Sequence, residues 1–297
     1  MTEQAPTLGF IGLGVMGGPM CRNVVIKHPA PVFAFDLSEA ALNEVVEAGA
    51  KRATSVADVA ANAEVIFLSL PGGKQVEAVC FGDGGIVSAA KPGAIVVDLS
   101  TTGVGEARAI AERLREKGLE FVDAPVARTR QAAQAGTLSI MAGASPELFA
   151  KVEAYLGYMG SDVTLCGPTG GGQVVKLINN TLLFEHVAAL AEMMVVAERA
   201  GVTPAKLLEA VSKGSGDSFA LRNHATKAML PREFPERSFP SEYVLKDLGY
   251  AIELAKDCGV EPKMPLTAQG YYKAAVEAGF GAKYFPSIIE LIDRSRG

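Results

Sequence analysis

A long apolar segment between Gly170 and Gly201 contains no proline, and it constrains the fold more than any other part of the chain. Glycines at both ends are typical of helix boundaries, so the segment predicts one helix of roughly 28–30 residues, about 45 Å long. Its apolar side chains surround the helix instead of forming one stripe, which predicts burial in a large core or an interface. These side chains are Leu182, Leu183, Phe184, Val187, Leu190, Met193, Met194 and Val195.

Two polar residues near the start of this helix, Lys176 and Asn180, lie four residues apart and therefore share one face. A lysine in such apolar surroundings either extends its ammonium group to water or transfers a proton. The segment alone leaves both interpretations open. Several charged or polar residues interrupt the apolar run, so we do not expect a membrane span. They are Glu185, His186, Glu192 and Glu198.

Length and composition exclude several classes of protein. The 297 residues are enough for two domains or one large one, and the net charge of −5 gives no basic surface for nucleic acid. The four cysteines show no metal-ligand spacing, so we expect no metal site and buried free thiols. The N-terminal residues lack the pattern of a signal peptide, and we expect a cytoplasmic protein. The cysteines are Cys21, Cys80, Cys166 and Cys258.

A glycine-rich loop follows the first apolar strand, Leu8–Ile11, and precedes a helical pattern. The loop reads Gly-Leu-Gly-Val-Met-Gly at residues 12–17, which is the GxGxxG pattern in the context that indicates dinucleotide binding. Gly12 permits the tight turn, Gly14 lets the backbone approach a pyrophosphate, and Gly17 lets the helix pack against the strand. The alternative is an ordinary glycine-rich turn.

A second strand, Val32–Phe35, ends at Asp36. A carboxylate at this point can accept hydrogen bonds from both hydroxyls of an adenine ribose. No arginine follows, so a 2′-phosphate would meet an uncompensated negative charge. Alternatively, Asp36 only helps to start the next helix, which Ser38 can cap equally well. With the glycine loop before it, Asp36 favours NAD over NADP.

Apolar strands continue to alternate with helices up to about residue 165, which predicts a doubly wound parallel sheet of the Rossmann type. The predicted strands are Val65–Leu70, Ala94–Asp98, Phe121–Asp123 and Leu138–Met141. We expect cofactor contacts from Leu70, Pro71, Ser100 and Thr101, at the carboxyl ends of two strands, although each is also compatible with an ordinary loop. Beyond Pro168 the pattern predicts helices at about 203–213, 241–258 and 264–279. The predicted domains are therefore an NAD-binding domain at 1–165 and an all-helical substrate and oligomerisation domain at 166–297, joined by the long helix.

Several motifs together resemble the β-hydroxyacid dehydrogenases, the family of 3-hydroxyisobutyrate, tartronate semialdehyde and 6-phosphogluconate dehydrogenases. The resemblance covers nearly the whole chain. It is carried by Gly9–Gly17, Asp123–Val126, Gly170–Asn180, Lys246–Leu248 and Met264–Ala268.

The resemblance implies an NAD-dependent dehydrogenase or reductase in which Lys176 is the catalytic acid–base and Asn180 hydrogen-bonds the substrate. A lysine can exchange the proton of an alcohol when burial or a nearby positive charge lowers its pKa. The resemblance also implies that Lys246 binds near the nicotinamide end of the cofactor. The residues expected to bind NAD are Gly12, Leu13, Gly14, Val15, Met16, Gly17, Asp36, Leu70, Pro71, Ser100, Thr101 and Lys246.

The chain departs from the family in its substrate motif, where Ser-Gly-Gly usually follows the valine. Here the residues are Ala127, Arg128 and Thr129, so a guanidinium group suited to carboxylate, sulfonate or phosphate replaces a hydroxyl and two glycines. This version resembles the sulfolactaldehyde reductase branch, whose members also reduce succinic semialdehyde. Alternatively, Arg128 or Arg130 points to solvent. The residues expected to bind substrate are Pro125, Val126, Ala127, Arg128 and Thr129.

The expected substrate is therefore a small anionic hydroxyacid or aldehyde acid, with 3-hydroxyisobutyrate or a related 3-hydroxyacid as the alternative. Imine reduction on the same scaffold is disfavoured because such relatives usually replace the lysine found here as Lys176. A non-catalytic nucleotide-binding homologue is disfavoured by the same lysine together with Asn180. The long apolar helix needs a partner, so we expect a homodimer or a homotetramer.

Overall fold

The computed structural model describes residues 5–236 and 238–293, which divide into two compact units. The first unit ends at Lys176 and the second begins at Leu177. The predicted fold class is confirmed: a parallel α/β sheet of the Rossmann type is followed by a helical domain. The domain boundary near residue 165 stays a prediction.

The first unit is built on a six-stranded parallel sheet with the order β3-β2-β1-β4-β5-β6. Strands β1 and β4 and the first three residues of β5 are apolar and buried, as expected when both faces of a sheet are covered. The strand order reverses at β1, so the crevice where doubly wound sheets bind ligands lies at the carboxyl ends of β1 and β4. The strands are β1 (Leu8–Ile11), β2 (Val32–Phe35), β3 (Lys51–Arg52), β4 (Val65–Leu68), β5 (Ile95–Asp98) and β6 (Glu120–Asp123).

Five helices connect these strands, and the apolar faces of the helices complete the core. Serines cap two of the helices, since Ser38 accepts from Ala41 N–H and Ser55 accepts from Asp58 N–H. The helices are α1 (Gly17–Lys27), α2 (Glu39–Glu47), α3 (Val56–Asn62), α4 (Gly73–Phe81) and α5 (Val104–Glu116).

A second sheet of three strands follows, which corrects the prediction that Leu138–Met141 extends the first sheet. The strand β7 (Val126–Ala127) pairs antiparallel with β8 (Leu138–Ala142), which pairs in parallel with β9 (Gly160–Leu165). The correction arises because the chain continues from β6 directly into β7, and Asp123 bridges Gly143 beside β8. The accompanying helices are α6 (Arg130–Ala135) and α7 (Pro146–Leu156).

The second unit consists of helices over residues 177–236 and 238–293, together with one isolated bridge between Pro240 and Tyr284. Two helical segments, Leu221–Met229 and Val276–Phe280, have π-type hydrogen bonding. In the core of the second unit, the rings of Phe184 and Tyr272 pack edge to face. Its α-helices are the greater part of α8 (Gly171–Arg199), which begins in the first unit, then α9 (Pro204–Val211), α10 (Ser241–Asp257), α11 (Lys263–Ala275) and α12 (Ile289–Ile292).

The long helix α8 has 29 residues and is buried along one face within the chain, while apolar side chains elsewhere on it are exposed, so its burial in an interface stays a prediction. Among the described residues it is the one helix long and apolar enough to span a membrane, yet 44% of its most apolar stretch is buried inside the protein. A core helix has the same length and composition, so we interpret α8 as a core helix. Its exposed apolar side chains are Val175, Ile178, Leu182, Met193 and Val196.

The cysteines do not all match the expectation of buried thiols. Cys21 and Cys80 are buried, and burial raises the pKa of both thiols. Cys166 is half-buried, whereas Cys258 is exposed, so the expectation is wrong for Cys258. Cys258 follows the last turn of α10, at a helix end that the core does not cover.

Candidate active site

The glycine loop at residues 12–17 joins β1 to α1 and depends on two of its glycines for its shape. Gly12 has a φ of +94°, and a Cβ atom there would collide with the carbonyl oxygen of Ser69. A Cβ atom at Gly17 would collide with the carbonyl oxygen of Gly12. At Gly14, by contrast, a Cβ atom would meet nothing within 4 Å. The absent side chain at Gly14 therefore leaves open space above the loop.

The start of α1 provides the second element of an anion site. Its N-cap residue is Met16, which makes no side-chain capping hydrogen bond in the described structure. The first amides of a helix have no acceptor in their own helix, and the helix dipole places partial positive charge there. The residues present therefore fit the pyrophosphate of a dinucleotide, which would lie against the loop and the start of α1.

Asp36 lies directly after β2 and is tied to the glycine loop. Its Oδ2 atom accepts from Leu13 N–H at 2.5 Å, and its Oδ1 atom accepts from Ser38 N–H at 2.7 Å. Each carboxylate oxygen has a second lone pair, so Asp36 can still accept hydrogen bonds from ribose hydroxyls. The two interpretations of Asp36 are thus compatible, since the same carboxylate shapes the loop and retains acceptor capacity.

Hydrogen bonds bring Leu70 and Ser100 together at the carboxyl ends of β4 and β5. The Ser100 hydroxyl accepts from Leu70 N–H at 2.9 Å, and Ser100 N–H donates to the buried carboxylate of Asp98 at 2.9 Å. Pro71 and Thr101 are the next residues in the chain after these two. Four of the residues predicted to bind the cofactor therefore meet at one edge of the sheet.

Gln173, in the first turn of α8, is connected to the same edge by two hydrogen bonds. Its Oε1 atom accepts from Thr102 N–H at 3.1 Å, and its Nε2 atom donates to the Ser100 carbonyl at 2.8 Å. The side chain is completely buried. Sequence reasoning missed Gln173, although a polar residue three positions before Lys176 in a glycine-rich helix start is a detectable pattern.

Asp123, at the end of β6, was also missed as a site residue, although it opens the substrate motif. It is fully buried, and its two oxygens accept from Gly170 N–H at 2.7 Å and Gln173 N–H at 2.9 Å. Burial raises the pKa of the Asp123 carboxyl to about 6, against the opposing effect of these backbone hydrogen bonds. We call Asp123, Gln173 and their hydrogen-bond partners the helix anchor.

Lys176 follows the helix anchor by one turn of α8 and is only 8% exposed. Asn180, one turn further on in the second unit, is 5% exposed. Its Nδ2 atom donates to Oδ2 of Asp247 at 2.7 Å, which fixes the orientation of the amide. The Lys246 ammonium lies 3.3 Å from Oδ1 of Asp247. Asp247 is a further residue that sequence reasoning did not assign, although it lies within the Lys-Asp-Leu motif.

The substrate motif contains an unusual backbone conformation at Arg128. This residue has a φ of +87°, in the left-handed region that favours the glycine usual at this position in the resembled family. Its Nη2 atom lies 2.8 Å from Asp162, and its Nη1 atom donates to the Thr137 carbonyl at 2.6 Å and the Ser161 hydroxyl at 3.1 Å. The Arg128 side chain is 42% exposed, so a substrate anion would compete with Asp162 for its guanidinium group.

The neighbours of Arg128 have different surroundings. Ala127 lies buried in β7, and the Thr129 hydroxyl caps α6 by accepting from Ala132 N–H at 3.4 Å. Arg130 is exposed in the first turn of α6. Of the two arginines, Arg128 is therefore the one held by neighbouring groups in an ordered position.

Comparison with family models matches nearly the whole chain. The NAD binding domain of 6-phosphogluconate dehydrogenase matches residues 7–167. Residues 170–292 match the model described as NAD-binding of NADP-dependent 3-hydroxyisobutyrate dehydrogenase.

Individual relatives cover almost the full length. The 2-(hydroxymethyl)glutarate dehydrogenase of Eubacterium barkeri is 37% identical over 99% of this chain and 97% of its own. The NAD-dependent L-serine dehydrogenase of Pseudomonas aeruginosa is 32% identical over 98% and 99%, respectively. The structure of Mycobacterium tuberculosis 3-hydroxyisobutyrate dehydrogenase with L-serine superposes with a TM-score of 0.88, at 27% identity, covering 98% of this chain and 100% of that one.

Proposed function

The chain belongs to the β-hydroxyacid dehydrogenase family and is an NAD(H)-dependent oxidoreductase, and we propose that it acts on small hydroxyacids or aldehyde acids that carry a terminal anionic group. The observation that carries the proposal is the buried Lys176, fixed one turn after the helix anchor and one turn before Asn180. A proton-transferring amine and an oriented amide are the groups needed to interconvert an alcohol and a carbonyl.

The residues have separate roles in the proposed reaction. Bound NAD(H) supplies hydride exchange at the carbinol carbon. Lys176 Nζ takes the hydroxyl proton during oxidation and returns it during reduction. The Asn180 amide, with one N–H held by Asp247, keeps its other N–H to donate to the substrate oxygen.

The substrate class follows from what the named substrates of the relatives share. 2-(Hydroxymethyl)glutarate, 3-hydroxyisobutyrate and L-serine all carry a hydroxymethyl group on the carbon next to a carboxylate, and they differ in the third substituent. A cationic Arg128 in the substrate motif favours an anionic substituent. We therefore propose a short substrate whose anion lies at the end opposite the reacting carbon, such as sulfolactaldehyde or succinic semialdehyde, with 3-hydroxyisobutyrate as the alternative.

A panel of acids assayed with NAD(H) tests this proposal. It contains sulfolactaldehyde, succinic semialdehyde, 2-(hydroxymethyl)glutarate and 3-hydroxyisobutyrate. We expect kcat/KM to be higher for sulfolactaldehyde, succinic semialdehyde or 2-(hydroxymethyl)glutarate than for 3-hydroxyisobutyrate. The reverse order favours the 3-hydroxyacid alternative, and absence of turnover with every acid overturns the proposal.

Arg128→Gly isolates the contribution of the guanidinium, because glycine accepts a φ of +87° without strain. We expect kcat/KM for the preferred acid to fall by about 10- to 100-fold, in the range for losing a hydrogen bond to a charged group. The value for 3-hydroxyisobutyrate should change little. An equal loss for both acids would show that Arg128 does not bind the terminal anion.

Asp162→Asn is the matched control, since it breaks the same ion pair and keeps Arg128. Both partners are largely exposed, and such pairs contribute little to stability. We expect unchanged or higher kcat/KM for the preferred acid, because a competing carboxylate is gone. If Asp162→Asn and Arg128→Gly lower activity equally, the ion pair is structural and the assignment of the anion site is wrong.

Asp36 should make NAD a better cofactor than NADP, because a 2′-phosphate adds like charge beside it. We expect kcat/KM for NAD to exceed that for NADP by at least about tenfold, with a smaller ratio in Asp36→Asn. Glu39→Gln is the control, since Glu39 lies in the same segment but pairs with Arg52 at 2.7 Å. Glu39→Gln should leave the ratio of the two kcat/KM values unchanged. Equal kcat/KM for both cofactors in the wild type would contradict the role of Asp36.

We also propose that the chain assembles into a homodimer or a homotetramer. The exposed apolar residues of α8 recur at spacings of three and four residues, from Val175 through Ile178 to Leu182 and from Met193 to Val196. An apolar face of this kind is typical of a surface that packs against another subunit.

A further inference from the structure

We propose that Asp123 and Gln173 are positioning residues that determine where Lys176 lies at the start of α8. The inference rests on the proposed function only in taking Lys176 as the group that transfers the proton. Asp123, Gln173 and Lys176 all belong to the first unit, and so do their hydrogen-bond partners in the helix anchor.

The helix anchor is connected to Lys176 by a single helical turn. Gln173 and Lys176 are three residues apart, so they are neighbours on the helix surface and move together. Asp123 holds the backbone of this turn, and the Gln173 side chain holds it to the loop after β5. A shift of the first turn is therefore transmitted directly to the Lys176 side chain.

Only a carboxylate can accept hydrogen bonds from both backbone amides that donate to Asp123. An asparagine would replace one oxygen by an NH₂ group, which is a donor facing the N–H of Gly170 or Gln173. The backbone also closes around the side chain, since a Cβ atom on Gly143 would collide with Asp123 Oδ1. Glycine at position 143 therefore leaves the room that the carboxylate occupies.

Ionising the Asp123 carboxyl is unfavourable in the folded state, so the ionised group does not act simply by stabilising the fold. Its pKa in the folded protein, about 6, lies above the ordinary value of 3.8, so the folded state favours the protonated carboxyl. The free energy of unfolding therefore decreases as the pH rises from 3.8 to about 6. The ionised form is nevertheless the one that accepts from both amides, so the anchor weakens as the pH falls through this range.

Other ionisable groups surround Asp123, and a pH profile must distinguish their titration from that of Asp123. The strand β8 contributes none of them. These groups include Asp98, which pairs with Asp123 in the sheet, and Cys166, whose thiol pKa is raised by Asp123. They also include Arg108 on α5, which donates to the Thr169 carbonyl beside Gly170, and Lys176, three residues after Gln173 on α8.

Asp123→Asn tests the inference, with Ser145→Ala as the matched control. Ser145 caps α7 by accepting from Leu148 N–H at 3.2 Å, so its loss weakens a helix start that does not contain Lys176. We expect kcat of Asp123→Asn to fall by about tenfold with little change in the Kd of NAD, whereas Ser145→Ala keeps wild-type kcat. The wild-type kcat should decrease as the pH falls through about 6, and this acidic limb should be absent in Asp123→Asn.

Hydrogen exchange gives a readout that does not depend on turnover. Amides in residues 170–176 should exchange faster in Asp123→Asn and at the wild-type rate in Ser145→Ala. Unchanged exchange in Asp123→Asn overturns the inference, as does an acidic limb that persists in this variant. Equal losses of kcat and NAD affinity would show a purely structural role and also overturn it. A wild-type protein without turnover on any acid contradicts the proposed function instead, and the exchange result still decides the anchor.

Discussion

Replacing Lys176 with methionine should lower kcat by about 10²–10⁴-fold, which is the usual contribution of general acid–base catalysis. Methionine keeps the length and the apolar stem of lysine but has no ammonium group. The buried position therefore stays filled while proton transfer is lost. The measurement is steady-state turnover with NAD and the best acid of the panel, combined with the Kd of NAD from a fluorescence titration, which should change little.

Lys91→Met is the control for this experiment, because Lys91 is exposed in a loop of the first unit. It should keep wild-type turnover. A Lys176→Met enzyme with more than about a tenth of wild-type kcat would remove Lys176 from the mechanism. The alternative of a non-catalytic nucleotide-binding protein predicts that wild type and variant bind NAD equally and that neither turns over any acid.

Helix and strand bounds could be predicted where the sequence carries a strong local pattern. The long helix was predicted between Gly170 and Gly201, and α8 runs from Gly171 to Arg199. Gly201 has a φ of +88°, the left-handed conformation typical of a residue just after a helix. The predicted bounds Leu8–Ile11 and Val32–Phe35 match β1 and β2, because these apolar runs are ended by glycine and aspartate.

Strands without an apolar pattern could not be predicted. The strand β3 has two residues, Lys51 and Arg52, both exposed, and it forms only by pairing with β2. The strand β9 reads Gly-Ser-Asp-Val-Thr-Leu, and its pairing with β8 has an irregular register. In both cases tertiary pairing decides the conformation, and local propensity gives no indication of it.

The candidate site shows the same division between local pattern and tertiary contact. The glycine loop and Lys176 are marked by residue types at fixed spacings, so the sequence identifies them. The contacts of Asp123 with amides 47 and 50 residues away arise only in the folded chain. The left-handed backbone of Arg128 could not be expected either, because arginine strongly disfavours that conformation.

Gly172→Ala should have the second-largest effect, because Gly172 is where the chain of α8 passes closest to the residues that hold it. A Cβ atom there would collide with the Met141 carbonyl oxygen and lie 2.9 Å from the carbonyl oxygen and from Oδ2 of Asp123. The first oxygen belongs to backbone that β8 holds in place, so the start of α8 must move instead. Overpacking of this kind typically lowers the free energy of unfolding by about 1–3 kcal/mol.

The movement should also lower kcat of Gly172→Ala by about 10²-fold, since a displacement of about 1 Å in a catalytic group has an effect of this size. Thermal unfolding and steady-state kinetics on the same preparation measure both effects. Gly105→Ala is the control, because Gly105 lies in α5 and a Cβ atom there would meet nothing within 4 Å. It should keep wild-type kcat and gain up to about 1 kcal/mol of stability from the helix propensity of alanine. If Gly172→Ala unfolds at a lower temperature but keeps wild-type kcat, the close packing of this turn stabilises the fold without placing Lys176.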